Sequence, residues 1–178
     1  MRRAQRNTTF TVEARWVPVP ASITARTPGL SGRAERGDWL GSTLVDNFVG
    51  VPYEDVGKAR DAGAVCALGL IDVIRGRSIR APGRCISQNS RQVQGRSEAG
   101  DHFGASLTQF DPARDEPPLL FVIGSPGEDV GRASDQGLVQ IATADIGFPY
   151  VPHSSVRTLP IAGPQTGARW GTELAPPH

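Results

Sequence analysis

The sequence predicts an all-β chain of short strands, and three observations lead there. Gly (21) and Pro (15) supply about a fifth of the 178 residues, leaving almost no stretch in which a long helix could propagate. The apolar segments that remain are of strand length and stop at Gly, Pro or Asp clusters. Blocks of sequence also recur along the chain, the mark of an architecture assembled from one supersecondary unit.

The strands are expected in chain order as follows. Phe10 to Val17 alternates, is rich in β formers, and ends at Pro18 and Pro20. Gly63-Ala64-Val65-Cys66-Ala67-Leu68 and Gly137-Leu138-Val139-Gln140-Ile141 each follow an acidic turn. Leu119-Leu120-Phe121-Val122-Ile123 is a continuous apolar run stopped by Gly124-Ser125-Pro126. A run of that kind suits a strand buried on both faces.

The recurrence is specific. Residues 32–44, GRAERGDWLGSTL, match residues 95–107, GRSEAGDHFGASL, at seven of thirteen positions. Residues 50–65, GVPYEDVGKARDAGAV, match residues 124–139, GSPGEDVGRASDQGLV, at ten of sixteen. Unrelated sequence would match at about one position in fifteen. The offset changes from 63 to 74 between the blocks, so the second copy carries eleven extra residues between Leu107 and Gly124. A fainter third copy starts at Gly167-Ala168-Arg169-Trp170-Gly171. Short strands repeated by unit point to a propeller or a β-solenoid.

Composition narrows the function classes. No apolar run approaches the ~20 residues of a membrane-spanning helix, so no membrane span is expected. The formal net charge of +1 argues against a chain built to coat nucleic acid. Eighteen of the nineteen basic residues are Arg, Lys58 being the exception. The start, Met1 to Phe10, is basic but has no apolar core, so no signal peptide is read there.

Gly100-Asp101-His102-Phe103-Gly104, followed by Gly124-Ser125-Pro126 and Gly127-Glu128-Asp129-Val130-Gly131, resembles the FG-GAP repeat of integrin-α-like propellers, in its bacterial secreted form. Leu40-Gly41 and Gly50-Val51-Pro52 hold the same places in the first copy, and Trp170-Gly171 in the third. The resemblance implies all-β propeller blades of four-stranded antiparallel sheet, two to three of them, an incomplete propeller. It divides the chain into 1–22, an N-terminal strand left from a preceding blade; 23–85, repeat 1; 86–158, repeat 2; and 159–178, the truncated start of repeat 3. Asp38 and Asp101 are expected to bond nearby backbone N–H groups. Gly41 and Gly104 are expected where backbones pass closely, and Pro52 and Pro126 where the ladder ends.

The resemblance also implies a calcium loop between FG and GAP. Its carboxylates here are Asp111, Asp115 and Glu116. The bending Gly is missing and Arg114 adds a positive charge, so the expectation is a degenerate, weak calcium site. The first copy lacks the loop, with Asp46 its lone carboxylate.

Other candidates read as structure. Glu54-Asp55 and Glu128-Asp129 recur in both copies and suit a turn or a solvated edge rather than a catalytic pair. His102 stands where the other copy has Trp39, and suits a packed or surface residue rather than a base. Ser154 and Ser155 lack a nucleophile elbow. Cys66 and Cys85 leave two alternatives, a cross-strand disulfide or unpaired core thiols. Residues 75–96 carry six Arg and no acidic residue, but lack aromatics for base stacking.

The expected function is therefore a non-enzymatic, secreted or cell-surface module for interaction, adhesion or scaffolding. Its ligand is an unspecified protein or glycan, and exposed blade edges would favour self-association. The alternatives are an accessory propeller segment of a secreted hydrolase whose catalytic domain lies outside this chain, and a decayed gene fragment.

Overall fold

The computed structural model describes residues 35–45, 48–67, 85–110, 119–144, 156–159, 163 and 165–174. These form two four-stranded antiparallel sheets, with no helix among the described residues. Sheet 1 is β1 (Leu44–Val45), β2 (Phe48–Val51), β3 (Ala64–Ala67) and β4 (Cys85–Ile86). Sheet 2 is β5 (Ser106–Phe110), β6 (Leu119–Ser125), β7 (Leu138–Ala144) and β8 (Arg157–Thr158). Each strand pairs with its neighbours in sequence, so both sheets are simple meanders. The expected strand from Phe10 to Val17 lies outside the described residues.

Proline and the acidic turns set the registers. β2 stops at Val51 and β6 at Ser125, each one residue before a proline that has no N–H for the ladder. β6 thus runs two residues beyond the apolar run, because Gly124 and Ser125 still pair with Val139 and Leu138. The chain then turns through Glu-Asp-Val-Gly. Val56 and Ala59 exchange backbone hydrogen bonds of 2.9 and 3.1 Å, and Val130 and Ala133 exchange two of 3.1 Å. The Asp55 carboxylate accepts the Asp61 N–H at 2.9 Å, and Asp129 accepts that of Asp135 at 2.8 Å. These clasps bring Ala64 opposite Val51 and Leu138 opposite Ser125.

Side chains alternate across the strands, and the two sheets pack face to face. Phe48, Val65, Ala67 and Ile86 of sheet 1 meet Leu107, Phe121, Ile123 and Ala142 of sheet 2. Phe48 and Phe121 lie with ring centroids 4.3 Å apart. On the other face of sheet 1, Val49, Val51, Ala64 and Cys66 form a second buried cluster. β2 and β3 are buried on both faces, whereas β6, the apolar run expected to be buried on both, is only half-buried at Leu120 and Val122, because its outer face packs on no described sheet. In sheet 2, the face away from sheet 1 is only half-buried at Leu120, Val122, Val139 and Ile141.

The junction is built on small residues. A Cβ at Gly50 would lie 2.2 Å from the Gly104 carbonyl oxygen, and one at Gly124 would lie 2.0 Å from that of Gly171. The Thr43 hydroxyl donates to the Gly104 carbonyl at 3.0 Å, and the Ser106 hydroxyl to that of Gly171 at 2.6 Å. Gly104 itself is tight against the Ala64 carbonyl, at 2.8 Å from an added Cβ. At Gly41 the requirement is instead the left-handed backbone, φ 89°.

Candidate functional site

Three turns share one backbone course. Gly37 to Gly41, Gly100 to Gly104 and Gly167 to Gly171 all begin and end on glycines at positive φ. The middle residue of each, Trp39, His102 and Arg169, is left-handed at φ 53°, 56° and 52°. Each turn is closed by a hydrogen bond to that residue's carbonyl, from Ser42, Ala105 and Thr172 N–H at 3.0, 2.9 and 3.2 Å. The second and third turns dock on the preceding unit in the same way. Gly100, His102 and Phe103 N–H donate to the carbonyls of Arg60, Asp61 and Ala62. Gly167, Arg169 and Trp170 N–H donate to those of Ser134, Asp135 and Gln136.

A left-handed backbone costs an L-residue about 1–2 kcal/mol, and of the three only His is among the residues enriched there. The cost is borne where it aims three large side chains along one end of the sheets. Tyr53, one residue beyond Pro52, completes the row. Its ring lies 5.0 Å from that of Trp39, edge to face, and 4.7 Å from that of His102, tilted. The rings line an open groove of about 330 Å³ that also touches Pro52, Pro126 and Arg169. The hydroxyl residues Ser42 and Thr172 stand on its walls. Trp39 keeps 65% of its surface exposed, unusual for the largest apolar side chain. The row is not repeated further along, because Gly127 replaces Tyr53, and a Cβ there would overlap the Gly100 carbonyl.

Burial holds the His102 imidazole below its ordinary pKa; the Arg169 charge acts the same way, while Asp61 and Asp135 oppose it. His102 is thus a neutral ring at pH 7, half-buried beside Tyr53 and open to the groove on one side.

Beneath the turns lie the carboxylates of the repeated motifs. Asp38 accepts the Glu35 N–H at 2.7 Å, and Asp101 that of Glu98 at 2.5 Å, as expected for turn-fixing residues. Glu54 and Asp101 are buried. Burial, reinforced by neighbouring carboxylates, pushes Glu54 up to about 7. Burial also pushes Asp101 up to about 7, with the Glu128, Glu98 and Asp129 charges adding to it and the Glu98 N–H opposing. Glu128 is raised chiefly by burial, although Gln88 Nε2 donates to its carboxylate. The acidic turn in each copy therefore has one solvated carboxylate, Asp55 or Asp129, beside one drawn inward, Glu54 or Glu128.

Asp111, Asp115 and Glu116 lie outside the described residues, as do Ser154 and Ser155. Among the described residues no group of three or more His, Cys, Asp or Glu could hold a metal ion. No helix there is long and apolar enough to cross a membrane. Cys66 and Cys85 are opposite each other on β3 and β4 and form a disulfide.

Sequence reasoning singled out His102 but passed over Trp39, Tyr53 and Arg169. The available signal was the variable middle position of three Gly-x-x-x-Gly turns, occupied in turn by Trp39, His102 and Arg169. No protein-family model matches this chain, and no curated protein matches it significantly.

Proposed function

We propose that the chain is a non-enzymatic interaction module of FG-GAP-type β-propeller blades, working outside the cell in adhesion, recognition or scaffolding. The observation that carries this reading is the aromatic groove crossing successive turns, with Trp39 exposed on its rim. Large aromatics presented on a rigid frame suit recognition. Two four-stranded meanders stacked face to face, each locked by the turn that opens the next unit, support the blade reading. The Cys66–Cys85 disulfide supports an oxidising compartment. The half-buried outer face of sheet 2 supports association with further blades. Calcium enters only as a weak ion at Asp111, Asp115 and Glu116, whose donor set lacks the bending Gly.

The test is to produce the chain oxidised and to measure its melt and oligomeric state with and without millimolar calcium. Turnover of ester, glycoside and phosphoester substrates is measured alongside. A cooperative melt with no turnover is expected. Hydrolysis abolished by substitution of a described residue would overturn the non-enzymatic reading, and non-cooperative unfolding would overturn the module.

A further inference from the structure

We propose that the Trp39–Tyr53–His102 row is a saccharide platform, with Arg169 at its end placed to take a carboxylate on the sugar. This rests on the interaction-module reading and names the ligand class of that groove.

The ring geometry selects the ligand. Centroids 5.0 and 4.7 Å apart mean that the three rings touch, leaving no slot between them. A proline-rich peptide needs such slots, because its side chains insert between aromatic ridges. Trp39 stands at 65° to Tyr53, and Tyr53 at 55° to His102, so the rings form a cupped wall; such a wall suits a pyranose ring, whose C–H groups meet an exposed aromatic face. The groove of about 330 Å³ is at the small end of ligand pockets, ~300–1,000 Å³, the scale of one or two sugar rings. Ser42 and Thr172 line its walls, the Thr172 hydroxyl donating to the Arg169 carbonyl at 2.7 Å.

Charge narrows the class further. Arg169 is the one cationic residue among the described residues lining the groove, since His102 is neutral. A single guanidinium fits one carboxylate, which it can take with two parallel hydrogen bonds. It is too little for a single-stranded nucleic acid, which also stacks on aromatics but needs a basic track for its phosphates.

The test is isothermal titration calorimetry of the oxidised chain with digalacturonic acid, cellobiose, an oligoproline decapeptide and an oligothymidylate. Two variants accompany it, Trp39→Asn and Arg169→Asn. Asn tolerates the left-handed backbone, so both keep the fold, and each is checked by its thermal melt. Saturable binding of digalacturonic acid is expected, at least about tenfold weaker in Trp39→Asn, with its advantage over cellobiose lost in Arg169→Asn. Equal binding of both disaccharides by the parent chain would overturn the role of Arg169. Binding indifferent to Trp39→Asn, or tighter binding of the peptide or the oligothymidylate, would overturn the platform. A chain that melts cooperatively yet binds none of the four keeps the module reading and loses the saccharide site. A chain that does not melt cooperatively loses the module reading itself.

Discussion

Gly50 is the position where the contact between the two sheets is most exposed to a single atom. Its φ lies outside the left-handed range, so alanine there tests space and nothing else. The added Cβ would sit 2.2 Å from the Gly104 carbonyl oxygen and 2.3 Å from the Thr43 hydroxyl. Real Cβ contacts stay beyond 3.0 Å, so the Gly104 backbone must retreat by about 0.8 Å, and backbone yields less readily than a side-chain end. The retreat strains the Thr43 hydroxyl bond to that carbonyl, now 3.0 Å long. Overpacking costs about 1–3 kcal/mol and the lost hydrogen bond about 1 kcal/mol, so Gly50→Ala is expected to lose about 2–4 kcal/mol. Urea unfolding followed by circular dichroism, with the disulfide kept oxidised, measures it. Thr43→Ala alone is expected to lose about 1 kcal/mol. The double variant should cost less than the sum of the two, because removing the hydroxyl relieves one of the two overlaps. A Gly50→Ala chain within 0.5 kcal/mol of the parent, or strict additivity in the double variant, would refute the argument that this glycine sets the sheet spacing.

Asp101 holds its proton in the fold up to about pH 7, whereas the unfolded chain releases it near pH 4. The native state therefore binds more protons between these values, and stability falls as pH rises from about 4 to about 7. Asp101→Asn keeps an acceptor for the Glu98 N–H and removes that titration, so it should match the parent near pH 4. At pH 8 it should exceed the parent by at most about 4 kcal/mol, and an unchanged pH profile in denaturant unfolding would count against the buried charge. Removing the disulfide by Cys66→Ala with Cys85→Ala, across a sequence separation of 19, should lower stability by roughly 3 kcal/mol, read as a fall in the urea midpoint. Arg169→Asn relieves a φ of 52° at an exposed side chain and should raise stability by up to about 1 kcal/mol, seen as a higher melting temperature.

Much of this molecule is legible in local chemistry. Pro52 and Pro126 announce where β2 and β6 end, because a missing N–H is a property of the residue and not of its surroundings. Asp38 and Asp101 announce their turns, because an Asp side chain reaches backbone three residues away without help from the rest of the fold. The repeated blocks likewise announce repeated units, and with them the strands on either side of each acidic turn. The all-β class and strands β3, β6 and β7 are thus consequences of short-range pattern, whereas the short strands β1, β4 and β8 take their form from pairing with their neighbours.

The groove is not of that kind. Trp39, Tyr53, His102 and Arg169 come from three different turns and one strand end, and nothing in their spacing says that their rings touch. The Tyr53–His102 contact follows from how closely the second turn sits on sheet 1, at Gly50 against the Gly104 carbonyl, while Trp39 meets Tyr53 within the first unit. The disulfide is similar: sequence left Cys66 and Cys85 open, and the register of β3 on β4 places them opposite each other. So is the inward turn of Glu54 beside the solvated Asp55, which depends on what packs over the turn. Local pattern thus reaches β3, β6 and β7, the turns and their recurrence, because each depends on forces acting within a few residues. Which side chains share a surface follows instead from how closely one unit's backbone can approach the next.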